Sequence, residues 1–385
     1  MSKSTVKDFL IGSLFFVITI ILFLGFIDKQ DAAFQGVSTN PGQRDTIPPT
    51  RVITKEPEAK TKTINIIGVG DMMLGTNYPS KSYLPPKGGS TMLADVADIL
   101  RSADITFGNL EGTILNKGGI AKRCGNPKAC YVFRSPESYV KHFSNAGFDF
   151  LSIANNHSGD FGATGRKKTK ELLRREGIEY AGLAGTDETA LLTRDGVTYG
   201  FCAFAPNSGT CDIRNISRAK QIVSSLAKKA DIVIVSFHGG AEGAKNQHVT
   251  RQTERYYGEN RGNVYKFAHA VIDAGADVVF GHGPHVTRAA ELYKDRFIIY
   301  SMGNFCTYGR FNLRGPAGYA PIVSLEVEKD GTFTGGKIIP VYQEKTHGPK
   351  IDSQKRAIKK LIELTKQDFP NSPLRIEADG TLSKK

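Results

Sequence analysis

Residues 275–287 read GADVVFGHGPHVT: an apolar run stops in two histidines, His282 and His285, held apart by Gly283 and Pro284. Imidazole is a common metal ligand and a common general acid or base. A run of this kind fills a buried strand, and its end lies at the carboxyl edge of a sheet, where α/β folds place their ligands. Five other segments end in the same polar manner: Gly70-Asp71, Asn109-Leu110-Glu111, Asn155-Asn156-His157, His238-Gly239-Gly240 with Glu242, and Gly303-Asn304-Phe305. Carboxylates, carboxamides and imidazoles gathered at one edge form a mixed nitrogen and oxygen set suited to zinc, manganese or iron. Gly70, Gly108, Gly239 and Gly281 permit tight turns and close approach beside these groups.

The elements that must position these groups alternate along the chain. Strands are expected at 64–71, 104–111, 148–157, 178–182, 197–206, 230–240, 276–282 and 296–305, each rich in β-branched or aromatic residues. Helices are expected at 93–103, 136–147, 162–177 and 264–275 from apolar spacing with Pro or Gly boundaries. Such alternation predicts an α/β fold with sheets buried between helices. Residues 320–345 read as a closing hairpin turning at Lys329-Asp330-Gly331, and 353–367 as an amphipathic surface helix.

Composition sets the surroundings. Residues 9–27 (FLIGSLFFVITIILFLGFI) carry no charge and as a helix would span about 28 Å, the thickness of a bilayer core. The run exceeds the apolar core of a usual signal peptide and no A-x-A site follows it, so it reads as an uncleaved signal anchor rather than a removed leader. Lys3 and Lys7 precede it and Asp28, Lys29 and Asp31 follow, which predicts a cytoplasmic amino terminus and an extracytoplasmic body, single-pass in the cell membrane. The expected organisation is therefore a cytoplasmic tip and transmembrane segment (1–30), a flexible spacer (31–62), an α/β domain (63–349), and a carboxyl-terminal helix and tail (350–385). Cys124 with Cys130, and Cys202 with Cys211, form two short-range pairs that predict disulfides in an oxidising compartment, with Cys306 left over. Of the net charge of +13, residues 1–62 carry +2 and 350–385 carry +4, leaving +7 on the body. This moderate excess suits an anionic surface or polymer. No zinc finger or RNP motif marks the chain as a nucleic-acid binder.

The series GVGDMMLG, GNLEGTI, ANNHSGDFG, SFHGGAE, GHGPHV and SMGNF resembles the motif series of the capsule-synthesis CapA proteins, also called poly-γ-glutamate synthesis PgsA proteins. That family in turn resembles the calcineurin-like metallophosphoesterases, and the likeness covers about residues 63 to 310. It implies a four-layer α/β/β/α sandwich with a dinuclear site of divalent ions at the strand ends, and a membrane-anchored, outward-facing body. Carried over position by position, Asp71 matches the first metal carboxylate and Glu111, beside Asn109, stands in the place of the metal-bridging aspartate. Asn156, His238, His282 and His285 match further ligands, and His157 matches the histidine that protonates a leaving oxygen. Asn109, Arg134 and Asn304 are assigned to substrate contact. The sequence departs from the pattern at Met73, where a histidine is usual, and in the His-Gly-Pro-His spacing, which is one residue longer. Both departures bear on one of the two metal positions. The resemblance implies a part in making, exporting or anchoring an anionic capsule polymer such as poly-γ-glutamate, in company with membrane synthase subunits. Two alternatives stand beside it: a secreted metal-dependent phosphodiesterase or nucleotidase, and a non-catalytic polymer-binding scaffold.

Overall fold

A computed structural model describes residues 63–123, 131–344 and 347–385. The expected anchor at 9–27, the spacer and the Cys124–Cys130 pair lie outside the described residues. Contacts divide the chain after Glu58, so all described residues belong to the unit Ala59–Lys385. Among them no helix is long and apolar enough to cross a membrane.

Two sheets form the body. The larger runs in the order Leu374–Ile376, Thr381–Lys384, Phe333–Tyr342, Tyr319–Val327, Ile64–Met73, Ile105–Leu110, Phe150–Ser152, Glu179–Ala181, with Asn304–Thr307 paired to the end of Ile64–Met73. The smaller runs Ala290–Tyr293, Arg296–Ile299, Val278–His282, Ile232–His238, Val197–Phe204, Thr189–Arg194. Ile64–Met73, Ile105–Leu110, Phe150–Ser152 and Glu179–Ala181 of the larger sheet run parallel to one another, as do Val197–Phe204, Ile232–His238, Val278–His282 and Arg296–Ile299 of the smaller. The central ones read as almost unbroken apolar runs buried on both faces.

Three apolar layers show how the sheets stack. Ile66, Phe107 and Phe150 of the large sheet meet Phe201, Ile234 and Phe280 of the small one. Phe107 stacks on Phe280 with centroids 5.3 Å apart. Helices Val140–Asn145 and Gly162–Arg175 cover the outer face of the large sheet through Phe143, Leu172 and Leu173. Ile216–Ala227 and Val264–Ile272 cover the small sheet through Val223, Leu226 and Phe267. The arrangement is the expected α/β fold, with two sheets packed face to face and helices on their outer faces.

Three differences from the sequence reading have physical causes. The helix Ile216–Ala227 was not expected, although Asn215 caps it through a bond from the Arg218 N–H and its buried face has helical spacing. The expected strand 296–305 is two strands in different sheets, because Gly303 adopts φ +64° and turns the chain from one to the other. Finally, Cys202 and Cys211 are free thiols, which corrects the expected disulfide. Both are packed in the apolar layer under the small sheet, where burial pushes each thiol upward, Cys211 to about 12. They serve as small core hydrophobes.

The segment after 350 joins the same body. Arg356–Asp368 buries Ala357, Ile358, Leu361 and Leu364, one stripe of an amphipathic helix, and Thr381–Lys384 then pairs with Phe333–Tyr342.

Candidate metal centre

Parallel register brings the ligating residues side by side. Asp71 pairs with Asn109 on one neighbouring strand and with Asn304 on the other. In the small sheet His238 pairs with His282. Because the strands are parallel, all these residues reach the carboxyl ends together. Glycine is required where the backbones crowd: a Cβ on Gly70 would lie 2.1 Å from the Gly303 carbonyl, and one on Gly281 would lie 2.4 Å from that of Tyr300.

Asp71 is fully buried at the centre. Its Oδ1 accepts from Asn109 Nδ2 (2.8 Å) and lies 3.2 Å from His282 Nδ1, while Oδ2 is 3.0 Å from His285 Nδ1. Burial raises this carboxyl, but the bonds from His282 and His285 outweigh it and hold it well below the usual carboxylate range. His285 reaches the cluster from a left-handed backbone position (φ +57°), an uncommon conformation for a non-glycine residue. Its Nε2 lies 3.5 Å from Glu111 Oε1. Burial lowers His285, yet Glu111 and Asp71 overcome this and raise it to about 10. One ligating atom each from Asp71, Glu111 and His285 lies within 4.8 Å of the others.

The remaining polar atoms test whether a divalent ion fits. Both Glu111 carboxylate oxygens, Asn156 Oδ1, His238 Nε2 and His282 Nε2 are buried with no hydrogen-bond partner in the chain. Burial pushes the Glu111 carboxyl well above its ordinary value, with Asp71 and Glu242 adding to the effect. Burial likewise drives His238 well below the usual imidazole range. Each unpartnered buried polar group costs roughly 1–3 kcal/mol. Five such atoms at neighbouring strand ends are costly unless a cation answers them. All five are oxygen or imidazole donors, the set that a borderline divalent ion prefers. The residues fit a divalent metal.

His157 stands beside this cluster in a different role. Its Nδ1 lies 2.8 Å from Asp160 Oδ2, and its Nε2 lies 3.9 Å from Glu111 Oε1. A carboxylate at Nδ1 selects the tautomer with the proton there, leaving Nε2 to face the cluster. Burial lowers the His157 pKa, Asp160 opposes this, and the Lys122 ammonium adds to the lowering. Lys122 pairs with Asp160 Oδ1 (2.5 Å) and donates to the Asn156 carbonyl (3.0 Å). Asn155 is a pivot: its Nδ2 bonds Asn109 Oδ1 and the Leu110 carbonyl, and its Oδ1 receives the His157 N–H.

The three residues assigned to substrate contact are placed variously. Asn109 is fully buried, with its amide engaged by Asp71 and Asn155. Asn304 is also buried, with Oδ1 3.1 Å from His285 Nδ1. Arg134 is bound to Asn77 and lies over the Phe161 ring. Met73, where the resemblance leads one to expect a histidine, is buried and its sulfur receives the Gly75 N–H. The sequence reading gave no role to Asp160, Lys122, Phe133 or Phe311. For Asp160 the i, i+3 spacing after His157 was a visible signal. The other three come into contact with the site only through folding.

Among curated relatives, a capsule biosynthesis protein CapA of Bacillus anthracis is 28% identical over 66% of this chain and 62% of its own length. The PGA biosynthesis protein CapA of Bacillus subtilis is 29% identical over 85% of this chain and 84% of its own. A probable polyglutamine synthesis accessory protein of Mycobacterium tuberculosis is 30% identical over 53% of this chain and 55% of its own. Of solved structures, a phosphatase from Mycoplasma pneumoniae aligns at 13% identity over 77% of this chain and 96% of that one, with a TM-score of 0.45. The bacterial capsule synthesis protein PGA_cap family matches residues 65–308. That span runs from the strand bearing Asp71 to the one bearing Asn304 and takes in every ligating group of the cluster, so the chain belongs to the PGA_cap family.

Proposed function

We propose that the protein takes part in the synthesis, export or anchoring of an anionic capsule polymer of the poly-γ-glutamate type, and that its strand-end cluster holds one or two divalent ions. Manganese, zinc and iron suit the donors. Asp71, Glu111, Asn156, His238, His282 and His285 would hold the metal. The names of the relatives support the polymer system, and the charge of the body suits a polyanion. The body works on the outer side of the cell membrane, held by residues 9–27, alongside the subunits of a membrane synthase. One observation carries the metal reading: five buried ligating atoms beside the close triad of Asp71, Glu111 and His285 have no hydrogen-bond partner among the described residues.

A hydrolytic role is favoured by the geometry at His157. A divalent ion at the cluster would polarise a phosphoryl or acyl oxygen. Asp160 fixes the imidazole so that Nε2, on the cluster side, is the atom that takes up and gives the proton to a leaving oxygen. Glu111 Oε1 lies 3.9 Å from that atom, so a metal held by Glu111 and Asp71 would stand beside the proton donor.

The test is the metal content of the full chain purified in detergent, before and after chelation, with hydrolysis measured on a phosphodiester and on poly-γ-glutamate. The expected result is a tightly held divalent ion whose removal lowers the unfolding temperature. A chain that retains no ion and is not stabilised by added manganese, zinc or iron would overturn the metal reading.

A further inference from the structure

Four segments on the large-sheet side of the site share a charge pattern. Segments 74–91, 112–123, 131–136 and 305–318 contain no Asp or Glu. They carry Lys81, Lys87, Lys117, Arg123 and Arg314, all exposed, and none of these makes an ion pair among the described residues. Of the carboxylates beside these segments, Glu137 accepts from the Asn116 N–H, Asp160 is buried against Lys122, and Glu111 is buried in the metal cluster. The loop after His238 is different. Its Arg261 pairs with Glu242 and Glu259, and its Glu254 binds the buried Arg288.

These basic loops touch one another. Asn77 N–H bonds the Arg134 carbonyl, Thr76 N–H bonds that of Tyr83, and Asn77 Nδ2 reaches the Asn116 carbonyl. A row of rings crosses them and ends at the metal cluster. Arg310 lies over Tyr83 (5.2 Å) and Tyr131 (5.0 Å), and Tyr131 is 6.4 Å from Phe133. Phe133 stacks on Phe311 (5.2 Å) and lies 4.2 Å from the His157 ring. The edge of Phe311 meets His285 at 5.5 Å.

We propose that this strip is the polymer-binding surface, and that it seats an extended polycarboxylate chain and leads it to the metal cluster. The inference rests on the polymer reading above and specifies where the polymer lies. Separated cations with no acid among them suit a ligand that brings many negative charges, since neutralising each one gains from counterion release. The Arg310 guanidinium over the tyrosine rings adds a further positive charge along the row. Phe311 and Tyr131 offer apolar contact to the methylenes between carboxylates. A single-stranded nucleic acid is disfavoured, because base stacking needs successive free ring faces. Here Phe133 is buried under Phe311, and Tyr131 is the exposed ring of the row.

The test measures binding of poly-γ-glutamate to the full chain in detergent, at low and high salt. One variant combines Lys87→Glu, Arg310→Glu and Arg314→Glu. A second carries only Lys87→Glu and Arg314→Glu, both at exposed positions, in case the first fails to fold. A control combines Lys220→Glu, Lys359→Glu and Lys366→Glu at exposed positions of helices outside the strip. The strip variants should bind at least about tenfold more weakly and with a shallower salt dependence, while the control stays within about twofold. Equal weakening by strip and control reversals would overturn the strip while leaving the polymer reading intact. Absence of polymer binding by the unaltered chain would remove both, even with the metal site present. Polyphosphate or single-stranded DNA binding as tightly as poly-γ-glutamate would show that the strip reads charge alone and would overturn the polycarboxylate assignment.

Discussion

Asp71, Asn109, Glu111 and Asn156 stand at or just beyond the ends of large-sheet strands, whereas His238, His282 and His285 stand at the ends of the small sheet. One sheet contributes oxygen and the other contributes imidazole nitrogen. Neither set surrounds a cation by itself, so the centre exists only because the sheets are packed face to face, with Phe107 on Phe280 behind it. Asp71 is the joint, since its two oxygens meet an imidazole from each of two positions in the small-sheet half. The loops repeat the inequality. Four segments on the large-sheet side carry basic residues and no acid, whereas the loop after His238 carries acids that pair with Arg261 and Arg288.

The most damaging way to break this division is at the joint. Asp71→Asn keeps the shape but removes the charge that both imidazoles approach. Metal affinity should fall by more than the about 10- to 100-fold usual for an outer partner of a ligand. Competition with a chromogenic chelator would measure it. Affinity unchanged within a few-fold would mean that the metal lies elsewhere.

His157 belongs to the oxygen half in sequence but not in function. His157→Ala should leave metal content unaltered and lower any hydrolysis by about 10²–10⁴-fold, the usual worth of a positioned acid or base. Turnover of a phosphodiester beside metal analysis of the same sample separates the two effects. Loss of metal would move His157 into the ligand set.

Asn109 sharpens the comparison one step further out. It donates to Asp71 and receives from Asn155, so it orients the carboxylate. Asn109→Ala should weaken metal binding by about 10- to 100-fold. An effect on substrate affinity with metal binding intact would instead place this amide against the substrate, the role expected from the sequence.

Much of this division was legible before folding. Parallel buried strands are written as β-branched runs, and the polar residue ending each run marks the sheet edge, so Asp71, Glu111, His238 and His282 could be placed together. What the sequence concealed depends on contacts between distant segments. The role of Lys122 becomes visible only once its loop lies on Asp160, and Phe133 and Phe311 are separated widely in sequence yet stack. The pairing of Cys202 with Cys211 looked like a disulfide because spacing shows proximity but not whether two thiols are packed as core hydrophobes. The strand expected at 296–305 looked continuous because periodicity does not register that Gly303 turns the chain into the other sheet.

The smallest effect is expected at Arg134, which the sequence reading gave to the substrate. Its Nε donates to Asn77 Oδ1 at 2.7 Å, and its guanidinium lies 4.8 Å from the Phe161 centroid and 5.7 Å from that of Tyr78. Those contacts use the guanidinium to tie the short ladder Arg134–Ser135 to the loop after Met73. A half-exposed cation–ring contact is worth about 0.5–1 kcal/mol and a hydrogen bond about 1 kcal/mol. Arg134→Ala should therefore cost about 1–2 kcal/mol, a shift of several degrees in unfolding temperature for a body of this size. Metal content and polymer affinity should both stay within about twofold, because the residue supports the basic loops without lining the strip. Thermal unfolding, metal analysis and polymer titration on one preparation decide the matter. A clear loss of polymer affinity at an unchanged unfolding temperature would return Arg134 to the substrate and extend the strip to its side of the site.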